Sequence, residues 1–138
     1  MARYRSNFIR RSQYWLPRNT YRTVRDYCEC YYELKEEYRN HVGLSRGDTG
    51  AGASGEGDPT ATQAIQLANV GTHIRRIEDI ARSVAPELHP YLLMGVAEGA
   101  TYPMLEGRGI PCGRGLYYRK RQEVYYRIAC QLGLKITV

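Results

Sequence analysis

Hydrophobic residues recur along this chain at intervals of three and four, which is the spacing of one face of an α-helix. The clearest series lies in the middle of the chain and consists of Leu67, Val70, Ile74, Ile77, Ala81 and Val84. It predicts a long helix that begins at Pro59-Thr60, is capped by Asp58 and ends before Pro86. Such a stripe is typical of packing against another helix, either within the chain or across a dimer.

A second series precedes it and predicts a first long helix over residues 19–42. Its apolar and aromatic positions are Tyr21, Val24, Cys28, Tyr31, Tyr38 and Val42. Asn19 or Thr20 is the predicted cap, and Gly43 is the predicted end. The glycine-rich residues 44–58 predict a flexible loop between the two long helices.

The rest of the chain predicts shorter helices and no convincing strand. One helix is predicted at residues 87–97, a short one directly after Thr101, which is its predicted cap, and another at residues 113–132. The predicted fold class is therefore all-α, a helical bundle with two long N-terminal helices and a C-terminal helix-turn-helix. The predicted organisation has three parts: a basic arm at 1–17, mobile until it meets a partner; a long-helix scaffold at 18–85; and a DNA-binding region at 86–138.

The charge of the chain narrows the class of partner. Its 138 residues carry a net charge of +6, and 17 of the 20 basic residues are arginine, whose planar fork grips phosphate and guanine edges. Seven arginines and no acid fall in residues 1–25, and six basic residues against one acid fall in 108–127. Two separate basic blocks favour nucleic-acid binding. Residues 26–39 carry a net negative charge, and the acidic outer face that they give the first predicted helix should avoid DNA.

Residues 101–132 contain the parts of a helix-turn-helix: a short helix, a turn near a glycine and a second amphipathic helix. Leu105 precedes Gly109 by four residues, and Ile110 can fill the space between the two helices. The expected buried side of the last helix is Leu116, Tyr117, Val124, Ile128 and Leu132. The expected exposed side, whose N-terminal half would enter a major groove, is Arg114, Tyr118, Arg119, Gln122 and Tyr126.

The same segment resembles the RinA/ArpU-type phage transcriptional regulators. The resemblance rests on the run from Gly99 through IPCGR to the aromatic and basic helix, and it extends over roughly residues 15–130. It implies a helix-turn-helix similar to region 4 of sigma factors, and control of late, packaging or integrase genes of a phage. It also implies DNA contacts from Arg114, Tyr118, Arg119 and Arg121. Gly115 departs from the pattern, since a larger polar or basic residue is expected there.

No catalytic or metal-binding pattern stands out. Cys28 and Cys30 point to opposite sides of a helix, and Cys112 and Cys130 are separated by most of another, so we expect four reduced, structural cysteines. The three histidines are scattered and flank no nucleophile motif. We therefore expect no enzyme activity, no cofactor and no metal.

The sequence thus predicts a cytoplasmic, nucleoid-associated regulator that binds double-stranded DNA as a homodimer and touches no membrane. No apolar run approaches the roughly 20 residues that cross a bilayer. Contact with RNA polymerase through the acidic face is left open. The alternative is an oligomerising interaction module that binds RNA or an acidic protein. The predicted DNA-binding residues are Arg108, Arg114, Tyr118, Arg119, Lys120, Arg121, Gln122, Tyr126, Arg10 and Arg11.

Overall fold

The structure is a computed structural model that describes residues 13–47 and 61–137, and these residues fold into helices. In chain order they are α1 (Arg18–Glu29), α2 (Tyr31–Gly47), α3 (Ala61–Val84), a 3-10 turn (Pro86–Leu88), α4 (His89–Glu98), α5 (Tyr102–Glu106) and α6 (Arg114–Gln131). The residues that the structure describes contain no strand. The predicted all-α class is confirmed.

The last helix, α6, lies at the centre of the molecule and packs against α1, α3, α4 and α5. Tyr117, Val124 and Ile128 are fully buried, as predicted from their spacing. Tyr125 and Ala129 are also buried, on a side of the helix that the sequence analysis did not assign to the core. Because α6 shares one core with α1 and α3, residues 86–138 do not form a unit separate from residues 18–85.

The two long helices, α2 and α3, form an antiparallel pair. The Tyr31 hydroxyl donates to Glu78, and the Tyr38 ring lies beside Gly71, so residues later in α2 meet residues earlier in α3. The Lys35 Nζ is 3.3 Å from the same Glu78 carboxylate. The stripe predicted for α3 is buried from Ile74 onward. Of the two alternatives that the sequence left open, the pairing within one chain is the one observed.

The single helix predicted over residues 19–42 is wrong in three details. It is broken at Cys30, which allows α1 to pack on α4 and α6 while α2 packs on α3. It continues through Gly43 to Gly47. It begins at Arg18 with Pro17 at the cap position, so the predicted caps Asn19 and Thr20 lie inside the first turn, and the Thr20 hydroxyl donates to the carbonyl of Lys135 (2.7 Å).

The remaining boundaries agree closely with the predictions. Gly99 ends α4 with φ of +71°, a conformation that glycine adopts without strain. Helix α5 follows Thr101, whose side chain makes no capping bond. The predicted helix start at Asp58-Pro59 and the loop beyond Gly47 lie outside the described residues.

The mobile arm predicted over residues 1–17 is wrong for its last five residues. Residues 13–17 are described, and they pack against the body of the protein rather than projecting from it. Leu16 belongs to the hydrophobic core, with 4% of its surface exposed. Arg10 and Arg11 lie outside the described residues.

Within the described ranges, none of the helices is long and apolar enough to span a membrane.

Candidate nucleic-acid interface

The turn between α5 and α6 has the apolar plug that the sequence predicts. Leu105 is 1% exposed and Ile110 is 8% exposed. The Ile110 N–H donates to the Leu105 carbonyl (3.1 Å), and Gly109 adopts φ of +87° between them. This connection runs from Gly107 to Gly113 and is longer than the three- or four-residue turn of a common helix-turn-helix.

Three tyrosine hydroxyl bonds hold the start of α6 on the rest of the chain. The Tyr118 hydroxyl accepts from the Tyr102 N–H (2.9 Å), and the Tyr102 hydroxyl donates to the Cys112 carbonyl (2.7 Å). The Tyr117 hydroxyl donates to the Ala100 carbonyl (2.7 Å), and burial raises the pKa of Tyr117, which keeps this donor protonated. Tyr118, a predicted DNA contact, therefore also satisfies the first backbone N–H of α5.

Arg121 has its strongest contacts inside the molecule. Its guanidinium lies 5.7, 5.0 and 5.9 Å from the ring centroids of Tyr117, Tyr118 and Tyr125, respectively. A cation over aromatic faces stabilises by about 0.5–2 kcal/mol, depending on how far it is desolvated. Arg121 therefore has a structural role, which is to hold three tyrosine rings of α6 together. This role was not predicted, because the sequence pattern did not assign Tyr125 to the core.

Arg121→Met is expected to lower the free energy of unfolding by about 1–2 kcal/mol, since it removes the cation from the three rings. We expect the DNA affinity of the folded variant to fall less than about threefold. Urea unfolding gives the first quantity, and fluorescence anisotropy with a duplex gives the second. A large loss of affinity with unchanged stability would restore the predicted role of Arg121 as a DNA contact.

The middle of α6 differs from its prediction. Gln122 was expected to project into solvent, and this is wrong: it is 9% exposed and its Nε2 donates to the Tyr14 carbonyl (2.8 Å). Tyr126 is half-buried, with its ring edge against Tyr14 at 5.5 Å between centroids. Glu123 is buried too, with Lys120 at 3.6 Å and Arg127 at 2.7 Å. Lys120, a predicted DNA contact, is therefore half-buried and ion-paired.

Three predicted DNA contacts remain exposed around the N-terminal end of α6. Arg114 lies over the Tyr102 ring at 5.4 Å, and Arg108 reaches the Met94 sulfur at 3.8 Å. Arg119 has no ion pair among the residues described. A side chain added at Gly113 or Gly115 would meet nothing within 4 Å, so bare backbone faces open space there. The first two turns of α6 can thus approach a flat or grooved partner closely.

The described part of the chain contains no group of three or more histidine, cysteine and acidic residues that could hold a metal ion. The four cysteine thiols are unpaired, and Cys28 is buried. His73 stacks on the Tyr27 ring at 3.5 Å, and its Nε2 is 2.7 Å from the Tyr27 carbonyl, while burial lowers the pKa of His73.

No family model, curated protein or solved structure matches the chain.

The bond between Tyr14 and Gln122 is the feature of this region that sequence reasoning missed. The two residues are 108 positions apart. No local pattern marks such a pair, because the carbonyl that accepts the bond belongs to the backbone and carries no residue identity. The burial of Tyr125 could have been predicted from the sequence, since Tyr125 lies three positions before Ile128 and therefore next to it on the same side of the helix.

Proposed function

We propose that the chain is a sequence-specific, double-stranded-DNA-binding regulator of transcription that inserts the first two turns of α6 into a major groove. The observation that carries the proposal is the exposure of Arg114 and Arg119 on either side of Gly115, at the N-terminal end of a helix whose middle, residues 122–125, is buried. An α-helix with side chains is about 10–12 Å across, which matches a major groove of about 12 Å.

The rigidity of this end supports the proposal. A reading helix must hold its side chains in a fixed geometry, and the tyrosine bonds to Tyr102 and Ala100 fix both the position and the rotation of α6. Arg119 then offers a planar fork for a guanine edge, while Arg108 and Arg114 suit phosphates. The assignment to phage late, packaging or integrase genes, and to a nucleoid-associated location, rests on the resemblance in the sequence.

Binding to duplex DNA by the full chain tests the proposal. If about six phosphates are neutralised, log affinity is expected to fall with log salt concentration at a slope near −5. Fluorescence anisotropy with a labelled duplex of mixed sequence, between about 50 and 200 mM salt, measures that slope. A slope near zero would contradict direct DNA binding. Selection of duplexes from a random pool then tests for sequence choice.

A second candidate is the oligomerising interaction module, and one observation favours it. The first turns of α3 are solvent-exposed and carry no charged residue, and Ile65 is 60% exposed. A contiguous apolar patch is typical of contact with another protein surface, and the exposed Ala61, Ala64 and Ala68 lie on the same side of α3 as Ile65. In that case the chain would bind RNA or an acidic protein without preference for a duplex. Both candidate functions include a homodimer. The mass of the full chain in solution at micromolar concentration tests whether it forms.

A further inference from the structure

The residues before α1 cross the surface of α6 and are fixed there. We call residues 13–17 the N-terminal strap. The Tyr14 carbonyl accepts from Gln122, the Tyr14 ring contacts Tyr126, and Leu16 is buried in the core. Contacts with backbone, aromatic ring and core together hold an irregular segment in one place, although it has no helical bonds of its own.

The strap covers part of the helix face that the proposed function uses. Gln122 follows Arg119 by three residues and Tyr126 follows it by seven, so all three lie on one side of α6. At 1.5 Å per residue, Arg119 and Gln122 are about 4.5 Å apart along the helix axis. The strap therefore occupies the middle of this face and leaves its N-terminal end, with Gly115 and Arg119, open.

The direction of the chain is also defined. Thr20 bonds to Lys135, beyond the C-terminal end of α6, whereas Tyr14 bonds to Gln122 in the middle of that helix. Followed from α1 back towards residue 13, the chain therefore advances along α6 towards Arg119. The twelve residues that precede the strap contain no acidic residue and four arginines: Arg3, Arg5, Arg10 and Arg11.

We propose that the N-terminal strap is a positioning element that delivers the arginine-rich residues 1–12 to the same duplex that α6 enters. The inference rests on the proposed function. In it, α6 reads the groove while the N-terminal arginines neutralise phosphates beside it, and Gln122 acts as a positioning residue rather than as a base contact. A tethered group has a high effective concentration only at sites that its anchor allows it to reach, so the anchor at Gln122 determines the gain in affinity.

A double-mutant cycle in the full chain tests this role. One variant is Gln122→Met, which keeps the side-chain size and the net charge but removes the donor to Tyr14. The other replaces Arg3, Arg5, Arg10 and Arg11 by glutamine. Each change is expected to lower the affinity for a mixed-sequence duplex about tenfold and to make the salt slope less steep by about 2–3. The combined variant is expected to bind no more weakly than the arginine variant alone.

The salt slope separates positioning from a merely structural role, because Gln122→Met removes no charge. Gln131→Met is the matched control: it is the same substitution on the same helix, at an exposed position away from the strap, and it also removes one hydrogen bond, the one that Gln131 accepts from Arg76 (3.0 Å). We expect it to leave the slope unchanged. Thermal unfolding shows whether each variant is folded. If Gln122→Met fails to fold, Tyr14→Ala is the second variant. It removes the ring contact with Tyr126 but keeps the carbonyl that accepts from Gln122, so it is expected to reduce the slope in the same direction by a smaller amount.

Additive losses in the combined variant would overturn the proposal, since Gln122 would then act independently of the arginines. Tighter binding by the arginine variant would overturn it as well, because the segment would then obstruct the duplex. Failure of the unaltered chain to bind any duplex is a different result, which contradicts the proposed function itself. Equal losses that do not add are the result that supports the strap.

Discussion

Gly95→Ala is expected to lower the free energy of unfolding by about 2–3 kcal/mol, because a methyl group at this position has no room. A Cβ at Gly95 would lie 2.2 Å from the Tyr117 hydroxyl and 3.0 Å from the Arg121 Cδ. Tyr117 cannot swing away at low cost, since it is fully buried and bonded to the Ala100 carbonyl. Urea unfolding, followed by far-ultraviolet circular dichroism, measures the change.

Gly115→Ala is the matched control and is expected to change stability in the opposite direction. Gly115 is also helical, but an added methyl group meets nothing, so alanine should stabilise by up to about 1 kcal/mol. Tyr117→Phe removes the atom nearest to the added methyl group. In the Gly95→Ala background we therefore expect it to cost less than it does alone. A Gly95→Ala protein as stable as the parent would contradict the close packing of the Tyr117 side chain of α6 against Gly95 of α4.

Replacing both Arg114 and Arg119 by alanine is expected to weaken DNA binding about a hundredfold. A good bidentate contact to a base discriminates by about 1–3 kcal/mol, and each 1.4 kcal/mol is a factor of ten in affinity. The free energy of unfolding should change by no more than about 1 kcal/mol, since both side chains are exposed and the contact of Arg114 with the Tyr102 ring lies at the surface. Anisotropy with the full chain measures the affinity, and duplex selection with Arg119→Ala alone should lose preference at one base position.

The control for charge is the removal of two arginines elsewhere. Arg39 and Arg82 are exposed and paired with Glu36 and Asp79 on α2 and α3. Their replacement by alanine lowers the net charge by the same amount, and we expect it to reduce DNA affinity less than about threefold. An equal loss in both double variants would mean that binding depends on overall charge and not on the end of α6.

The local parts of the fold could be predicted because local patterns encode them. The burial of Ile74 and Ile77 follows from the period of the helix, and the ends of α3 and α4 follow from Pro86 and Gly99. Leu105 and Ile110, which form the apolar plug, are only five positions apart, so the local turn around Gly109 is enough to bring them together. The break at Cys30 has no comparable signal, because it depends on α1 and α2 packing against different helices.

The candidate site could be predicted only in its N-terminal part. Arg114 and Arg119 are exposed, as the helical period indicates, although α5 packs against the same end of α6 through Tyr102 and Tyr118. Gln122 and Tyr126 lie on the same side by period, yet the chain around Tyr14 covers them. Periodicity indicates which side of a helix is polar, but it carries no information on which distant segment lies on that side.

The sequence by itself determined the helices, their approximate ends and the basic character of two segments, because hydrophobic spacing, glycine and proline positions and charge all act over a few residues. Only the tertiary structure decided that α6 is the central helix, that Gly95 must remain small and that the strap bonds to Gln122. Those features arise where backbone and side chains far apart in sequence compete for the same space, and that competition is resolved only when the whole core packs.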